Sequence, residues 1–194
     1  MGRKRIFLVG RPGSEIHTVK RLLEQHPGGI VFPATDFFQK VAPASWLQRI
    51  TGFVGVSARN RIQELFEDQL DGVQQKVDPY HLLSRRRIVE HFIESLDLDA
   101  RRKRAKFWVE PSPSNGAHID LIEDHLPDAK FVHVIDCPNL EATGEHLDST
   151  LTDWLENLHT IEQHLDKPNH HSVRHNELLK STRHTASDLF NSLR

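Results

Sequence analysis

The chain has one cysteine, one methionine and one tyrosine in 194 residues, and aromatic residues make up 7% of it. A single cysteine, Cys137, cannot form an internal disulfide, so the core must hold itself together by burial, and a reducing, cytoplasmic setting is expected. No run of about 18 apolar residues occurs, which excludes a helical membrane span on sequence grounds. The basic start Met1-Gly2-Arg3-Lys4-Arg5 is followed by no apolar signal core, and Ile6 stands where a myristoylation signal needs Ser or Thr. A formal charge of -2 and a pI near 6.7 give no global attraction to nucleic acid. Two local basic clusters exist, Arg85-Arg86-Arg87 and Arg101-Arg102-Lys103-Arg104, and they read as a solvated helix face and a basic connecting loop.

Histidine, by contrast, is abundant: there are 14. The densest group is His170-His171 with His175 close behind. A metal site needs three or four converging ligands and the one cysteine is far away, so no metal is assigned and solvated or hydrogen-bonded histidines are expected.

At this length one core is expected over residues 1–194, with a helical insert at about 36–105. The pattern begins with an apolar strand from Lys4 to Val9, a turn through Gly10-Arg11-Pro12-Gly13-Ser14, and an amphipathic helix from Ser14 to Gln25 with Val19, Leu22 and Leu23 inward. Ser14 is a natural N-cap. Ile30-Val31-Phe32 reads as a second strand, and 36–98 as helical, with a clear start at Asp78-Pro79. Strand character returns at Phe107-Trp108-Val109 and, most strongly, from Lys130 to Ile135, which reads as a central parallel strand. Two helical stretches broken at Asp148-Ser149 are expected between Leu140 and Leu165, then a short strand 172–174 and a helix 186–193. Alternating strands and helices predict an α/β fold, a mainly parallel central sheet flanked by helices. Ligands of such sheets bind beyond the carboxyl ends of the strands.

A helix that opens at such a turn aims unpaired N–H groups at the crevice above the sheet, the layout of a phosphate loop. It is not a Walker A loop, because Glu15-Ile16-His17 stands where Gly-Lys-Ser/Thr is required. The segment Gly10 to Pro27 resembles the start of sulfotransferases that use 3′-phosphoadenosine-5′-phosphosulfate (PAPS), whose form is strand, Gly-x-Pro-Arg-Ser-Gly-Thr-Thr, then a helix ending in His-Pro. Three further segments resemble the same family in order: 108–113 its Trp-Gly-Glu-Lys-Thr-Pro turn, 127–135 the strand before its Arg-Asp-Pro motif, and 173–179 its Val-Arg-Tyr-Glu-Asp-Leu segment. The resemblance implies a sulfotransferase-like, three-layer fold of the P-loop-like kind and PAPS or its product PAP (adenosine 3′,5′-bisphosphate) as cofactor.

The resemblance places the cofactor contacts at Arg11, Pro12, Gly13, Ser14, Glu15, Ile16 and His17 in the first loop and at Asp136 and Gly144 after the fourth strand. At these positions the family's charges are gone. Its loop arginine is Gly13, its glycine Glu15 and its two threonines Ile16 and His17. Its second arginine is Asp136, the following aspartate Cys137, its serine Gly144, and the lysine of its third motif Pro111. A unit charge about 5 Å from another contributes roughly 3 kcal/mol at an effective dielectric of about 20, more than a hundredfold in affinity. Weak or absent PAPS binding is therefore expected, although Arg11, Lys20 and Arg21 are candidate substitutes.

For a catalytic base the resemblance offers Asp36, which sits where some relatives place an acidic residue after the second strand but reads first as a helix N-cap, and Glu110, which matches the family's glutamate and could orient a substrate or pair with a basic residue; His17, in the first turn of the loop helix, is a further candidate. The sequence thus reads as a sulfotransferase-like protein with a degraded PAPS site, acting as a binding or scaffolding subunit with a protein partner or a second copy. The alternative is an active PAPS-dependent enzyme acting on a small hydroxyl or amine acceptor.

Overall fold

Ile6, Phe7, Leu8 and Val9 are all wholly buried, as required of a parallel strand covered on both faces. They form β1 (Lys4–Val9), the middle strand of the sheet in this computed structural model, which describes residues 3–10, 16–68, 84–136 and 145–192. The other strands are β2 (Gly29–Val31), β3 (Phe107–Glu110), β4 (Lys130–Ile135) and β5 (His170–Arg174). All pair in parallel in the order β2-β3-β1-β4-β5. The chain leaves β1 toward the β3 side and later returns on its β4 side, so the strand order reverses at β1. The carboxyl end of β1 therefore lies at the switch point where such sheets bind ligands.

One face carries α1 (Ile16–Glu24), α8 (His175–Lys180) and α9 (Thr182–Ser192), packed through Ile16, Val19, Leu23, Leu178 and Leu189 on Ile6, Leu8, Val132 and Val134. The other carries α2 (Phe37–Val41), α5 (Arg85–Arg102) and α6 (Ile119–His125) on Phe7, Trp108 and Phe131. Aromatic rings knit that layer together: Phe37 stacks on Phe92 at 3.8 Å, and Phe7 meets Trp108 edge-on at 5.4 Å. Asp97 of α5 accepts from the Trp108 indole at 2.8 Å and from Arg5 at 2.9 Å, fixing α5 across β1 and β3. Two layers of helix on one parallel sheet make a three-layer α/β fold: the alternation predicts the parallel sheet with flanking helices, and the family resemblance implies the three layers.

Between β2 and β3 lie α2, α3 (Trp46–Thr51), α4 (Val56–Asp68) and α5. The start expected at Asp78-Pro79 lies outside the described residues. α5 begins instead at Arg85, a correction to the reading of Arg85-Arg86-Arg87 as a solvated face. Arg85 is buried and donates to Val41 O at 3.1 Å and Gln48 O at 2.7 Å, satisfying carbonyls of α2 and α3. Arg86 and Arg87 remain exposed.

Three further boundaries differ from expectation. α7 (Glu145–Glu162) runs without a break through Asp148-Ser149, because such residues cost only a few tenths of a kcal/mol each in a helix interior. The strand at 172–174 begins at His170 instead, and the terminal helix begins at Thr182 after a separate α8. β4 is paired in parallel on both sides, by β1 and β5, as its apolar run predicts. Among the described residues no helix is long and apolar enough to cross a membrane.

Candidate functional site at the carboxyl ends of the strands

Behind the carboxyl ends of β2 and β3 a buried polar network joins two loops and reaches β1. Glu110, the last residue of β3, is 1% exposed. Its Oε1 accepts from Thr35 N at 3.1 Å, from Thr35 Oγ1 at 2.9 Å and from Ser112 Oγ; its Oε2 accepts from Ser112 N at 3.1 Å and Asn115 Nδ2 at 2.7 Å. The two hydroxyls have forced roles. Ser112 Oγ accepts from Thr35 N at 2.9 Å and Asp36 N at 2.8 Å, and Thr35 Oγ1 accepts from Phe37 N at 3.2 Å, so each spends its one proton on Glu110. Glu110 thus has uncharged partners, not the basic residue that was one of its expected roles, and its buried oxygens work as a structural anchor.

Asn115 belongs to a 3-10 turn at Pro113–His118 and extends the anchor to the middle strand. Its Nδ2 reaches Leu8 O at 3.1 Å, just beyond the last paired residues of β1 and β3, Phe7 and Glu110. The same turn approaches β1 closely: a Cβ on Gly116 would lie 3.3 Å from Val9 Cγ1.

Asp36 stands at the N-cap position of α2 but does not cap it, because its backbone is left-handed (φ 48°) and its side chain makes no capping bond. Thr35 Oγ1 takes the N–H of Phe37 in its place, and Ser114 Oγ donates to Asp36 Oδ1 at 2.6 Å. A non-glycine residue in that region is uncommon and costly, and persists where its surroundings over-determine it. Asp36 and Glu110 are thus brought together, both bonded to Ser112.

The other described candidates are not gathered with them. Asp136 is buried beyond β4, on the far side of β1, roughly 10 Å from the end of β3 by strand spacing. Trp154 Nε1 of α7 donates to its carbonyl at 2.8 Å. Ile16 is 3% exposed and its side chain packs in the core under α1. His17, in the first turn of α1, is exposed. Lys20 pairs with Glu24 at 3.7 Å within α1, and Arg21 is exposed. Arg11, Pro12, Gly13, Ser14, Glu15, Cys137 and Gly144 lie outside the described residues. Sequence reasoning missed Thr35, Ser112, Ser114 and Asn115; the signal was the polar run Pro113-Ser114-Asn115 directly after a buried strand.

The end of β1 at the switch point, an acidic strand end on β3 and a carboxylate after β2 make the carboxyl edge of this parallel α/β sheet the candidate site. A family model described as the sulfotransferase family matches residues 5–135. The chain belongs to the sulfotransferase family.

Solved structures agree on the fold. The sulfotransferase domain of the olefin synthase of Synechococcus PCC 7002 superposes with a TM-score of 0.59 at 14% identity, over 99% of this chain and 74% of that one. The sulfotransferase domain from the curacin biosynthetic pathway gives 0.60 at 14% identity, over 99% and 74%. A sulfotransferase from Alicyclobacillus acidocaldarius gives 0.53 at 15% identity, over 100% and 81%. No curated protein matches the sequence.

Proposed function

We propose that this chain keeps the sulfotransferase scaffold with a degraded PAPS site and acts as a binding or scaffolding subunit. The observation that carries the reading is Asp136: a carboxylate is buried at the end of β4, where the family resemblance puts an arginine for the 3′ phosphate. The family usually binds PAPS, and the residues at the two expected phosphate contacts do not fit that ligand. Of the described ones, Ile16 is core, His17 faces solvent and Asp136 carries the wrong charge for a phosphate. The sequence adds Glu15 and Gly13 in the first loop, in the same direction.

Two of the similar structures are sulfotransferase domains of larger synthesis systems, which supports work alongside other domains or subunits. The test is titration calorimetry with adenosine 3′,5′-bisphosphate, where the reading predicts no binding at micromolar concentrations.

The strained backbone of Asp36 favours a second reading, that an acceptor-activating carboxylate survives and the enzyme is active. Labelled-sulfate transfer from PAPS to alcohols, phenols and amines, lost in Asp36→Asn, would support it. A blank across the panel supports the first reading.

A further inference from the structure

Three side chains from distant parts of the sequence converge on the α6 face of the sheet, at the amino ends of β4 and β5. Glu123 comes from α6, His164 from the turn after α7, and His170 from the first position of β5. One donor atom from each lies within 4.8 Å of the other two. His170 Nε2 is 3.0 Å from Glu123 Oε1, and the His164 and His170 rings lie nearly parallel at 5.2 Å. His170 pairs in register with Phe131 near the start of β4, whereas Asp136 follows its other end, so this cluster is separate from the candidate site above.

Around these atoms stands a second row of partners. Lys167 Nζ donates to Glu123 Oε2 at 2.5 Å and Asn169 Nδ2 to Oε1 at 3.2 Å, while His133 Nε2 meets His170 Nδ1 at 2.7 Å. His164 is 8% exposed, yet its buried Nδ1 has no hydrogen-bond partner. An imidazole nitrogen buried without a partner is a costly arrangement that a ligand would relieve.

We propose that Glu123, His164 and His170 form a binding site for a divalent transition metal of the zinc class, with water at the fourth position. Two imidazoles and one carboxylate are a recurrent three-ligand set for zinc, and nitrogen donors favour zinc, cobalt or nickel over magnesium or calcium. Tetrahedral donors about 2 Å from zinc lie roughly 3.4 Å apart, so the widest separation need close by only about 1.5 Å. His133, Lys167 and Asn169 supply the outer hydrogen bonds that orient such ligands.

Ligation also makes a prediction about protons. Without metal, the Glu123 carboxylate requires N–H at His170 Nε2, leaving Nδ1 to accept from His133 Nε2. With metal on His170 Nε2, the proton must sit on Nδ1 and be donated to His133. The pair changes tautomer together, with no change in its total number of protons.

The test uses the full chain, stripped with chelator and titrated with Co²⁺ and then Zn²⁺. One equivalent of Co²⁺ should give the intense visible bands of a four-coordinate site and be displaced by Zn²⁺. His164→Ala or Glu123→Gln should weaken binding by more than about tenfold. His184→Ala, which removes an exposed histidine paired with Asp188 at 2.8 Å, should leave it intact and so controls for surface histidines. Nitrogen-15 spectra of the unmodified protein should show the His133–His170 tautomer change on addition of Zn²⁺. Unchanged tautomers at one equivalent of Zn²⁺, or Co²⁺ bands that survive both ligand substitutions, would overturn the proposal, and the spectra do so whether or not the variants fold.

Discussion

Ser114 donates to Asp36 across 2.6 Å, and that contact holds a carboxylate at the carboxyl edge of the sheet on a left-handed backbone. The N-cap position would ordinarily turn the side chain back onto α2. Here Thr35 has taken over the capping, so the Asp36 carboxylate is committed to Ser114.

The backbone strain at Asp36 has a measurable sign. Asp36→Ala should lower stability by about 1 to 2 kcal/mol, since alanine lacks both the hydrogen bond and the tolerance of asparagine and aspartate for this region. Asp36→Asn should lie within about 0.5 kcal/mol of the unmodified protein. Urea denaturation of the two variants checks the ordering.

Ser112 is the hub of the loop network. It is wholly buried, accepts two backbone N–H groups and donates to Glu110. Ser112→Ala takes the partner from the Asp36 N–H, leaves the Thr35 N–H with Glu110 alone, and should destabilise by about 1 to 3 kcal/mol. Glu110→Gln should cost a similar amount, because it points an NH₂ at donors. Hydrogen exchange at Thr35 and Asp36 should rise in both variants.

Gly29 has no room for a side chain. A Cβ there would lie 2.2 Å from the Phe107 ring, itself packed on His26 at 5.1 Å. Gly29→Ala should destabilise by about 1 to 3 kcal/mol. Adding Phe107→Leu should recover part of that loss, so a double-mutant cycle should give a non-zero coupling.

His118, in the turn beside β1, is held below the usual imidazole range by burial. The unfolded chain therefore binds its proton more readily than the folded one. Stability from this group is complete above about pH 6.5 and declines as the pH falls from there toward the lower folded value. Between pH 7.5 and 5, His118→Gln should lose less stability than the unmodified protein, as thermal melts at fixed ionic strength would show.

Strand periodicity made most of the fold legible. β1 and β4 are apolar enough to be read to the residue, and His-Pro and Pro-Asp mark where α1 and α6 stop. Asp148-Ser149 misled because a local helix-breaking signal is weak beside a long continuous helix. Arg85 misled because charge suggests solvent, whereas its guanidinium finds carbonyl partners only once α2 and α3 fold against α5.

Among the candidate site residues, Asp36 and Glu110 could be named from the family resemblance. That Ser112 joins them depends on contacts 76 residues apart, which no spacing reveals. The histidine cluster was hidden for a related reason. Neighbouring histidines in a strand point to opposite faces, so His171 turns away from His170, while Glu123 lies 47 residues away in another element.

The central claim is that the sulfotransferase scaffold survives here without its phosphate contacts. Calorimetry of the full chain with adenosine 3′,5′-bisphosphate tests it most directly. The account predicts no heat of binding with a Kd below about 100 µM, and weak binding gained when Asp136 is changed to Arg, a reversal of charge worth roughly 3 kcal/mol or more. Micromolar binding by the unmodified chain would contradict it.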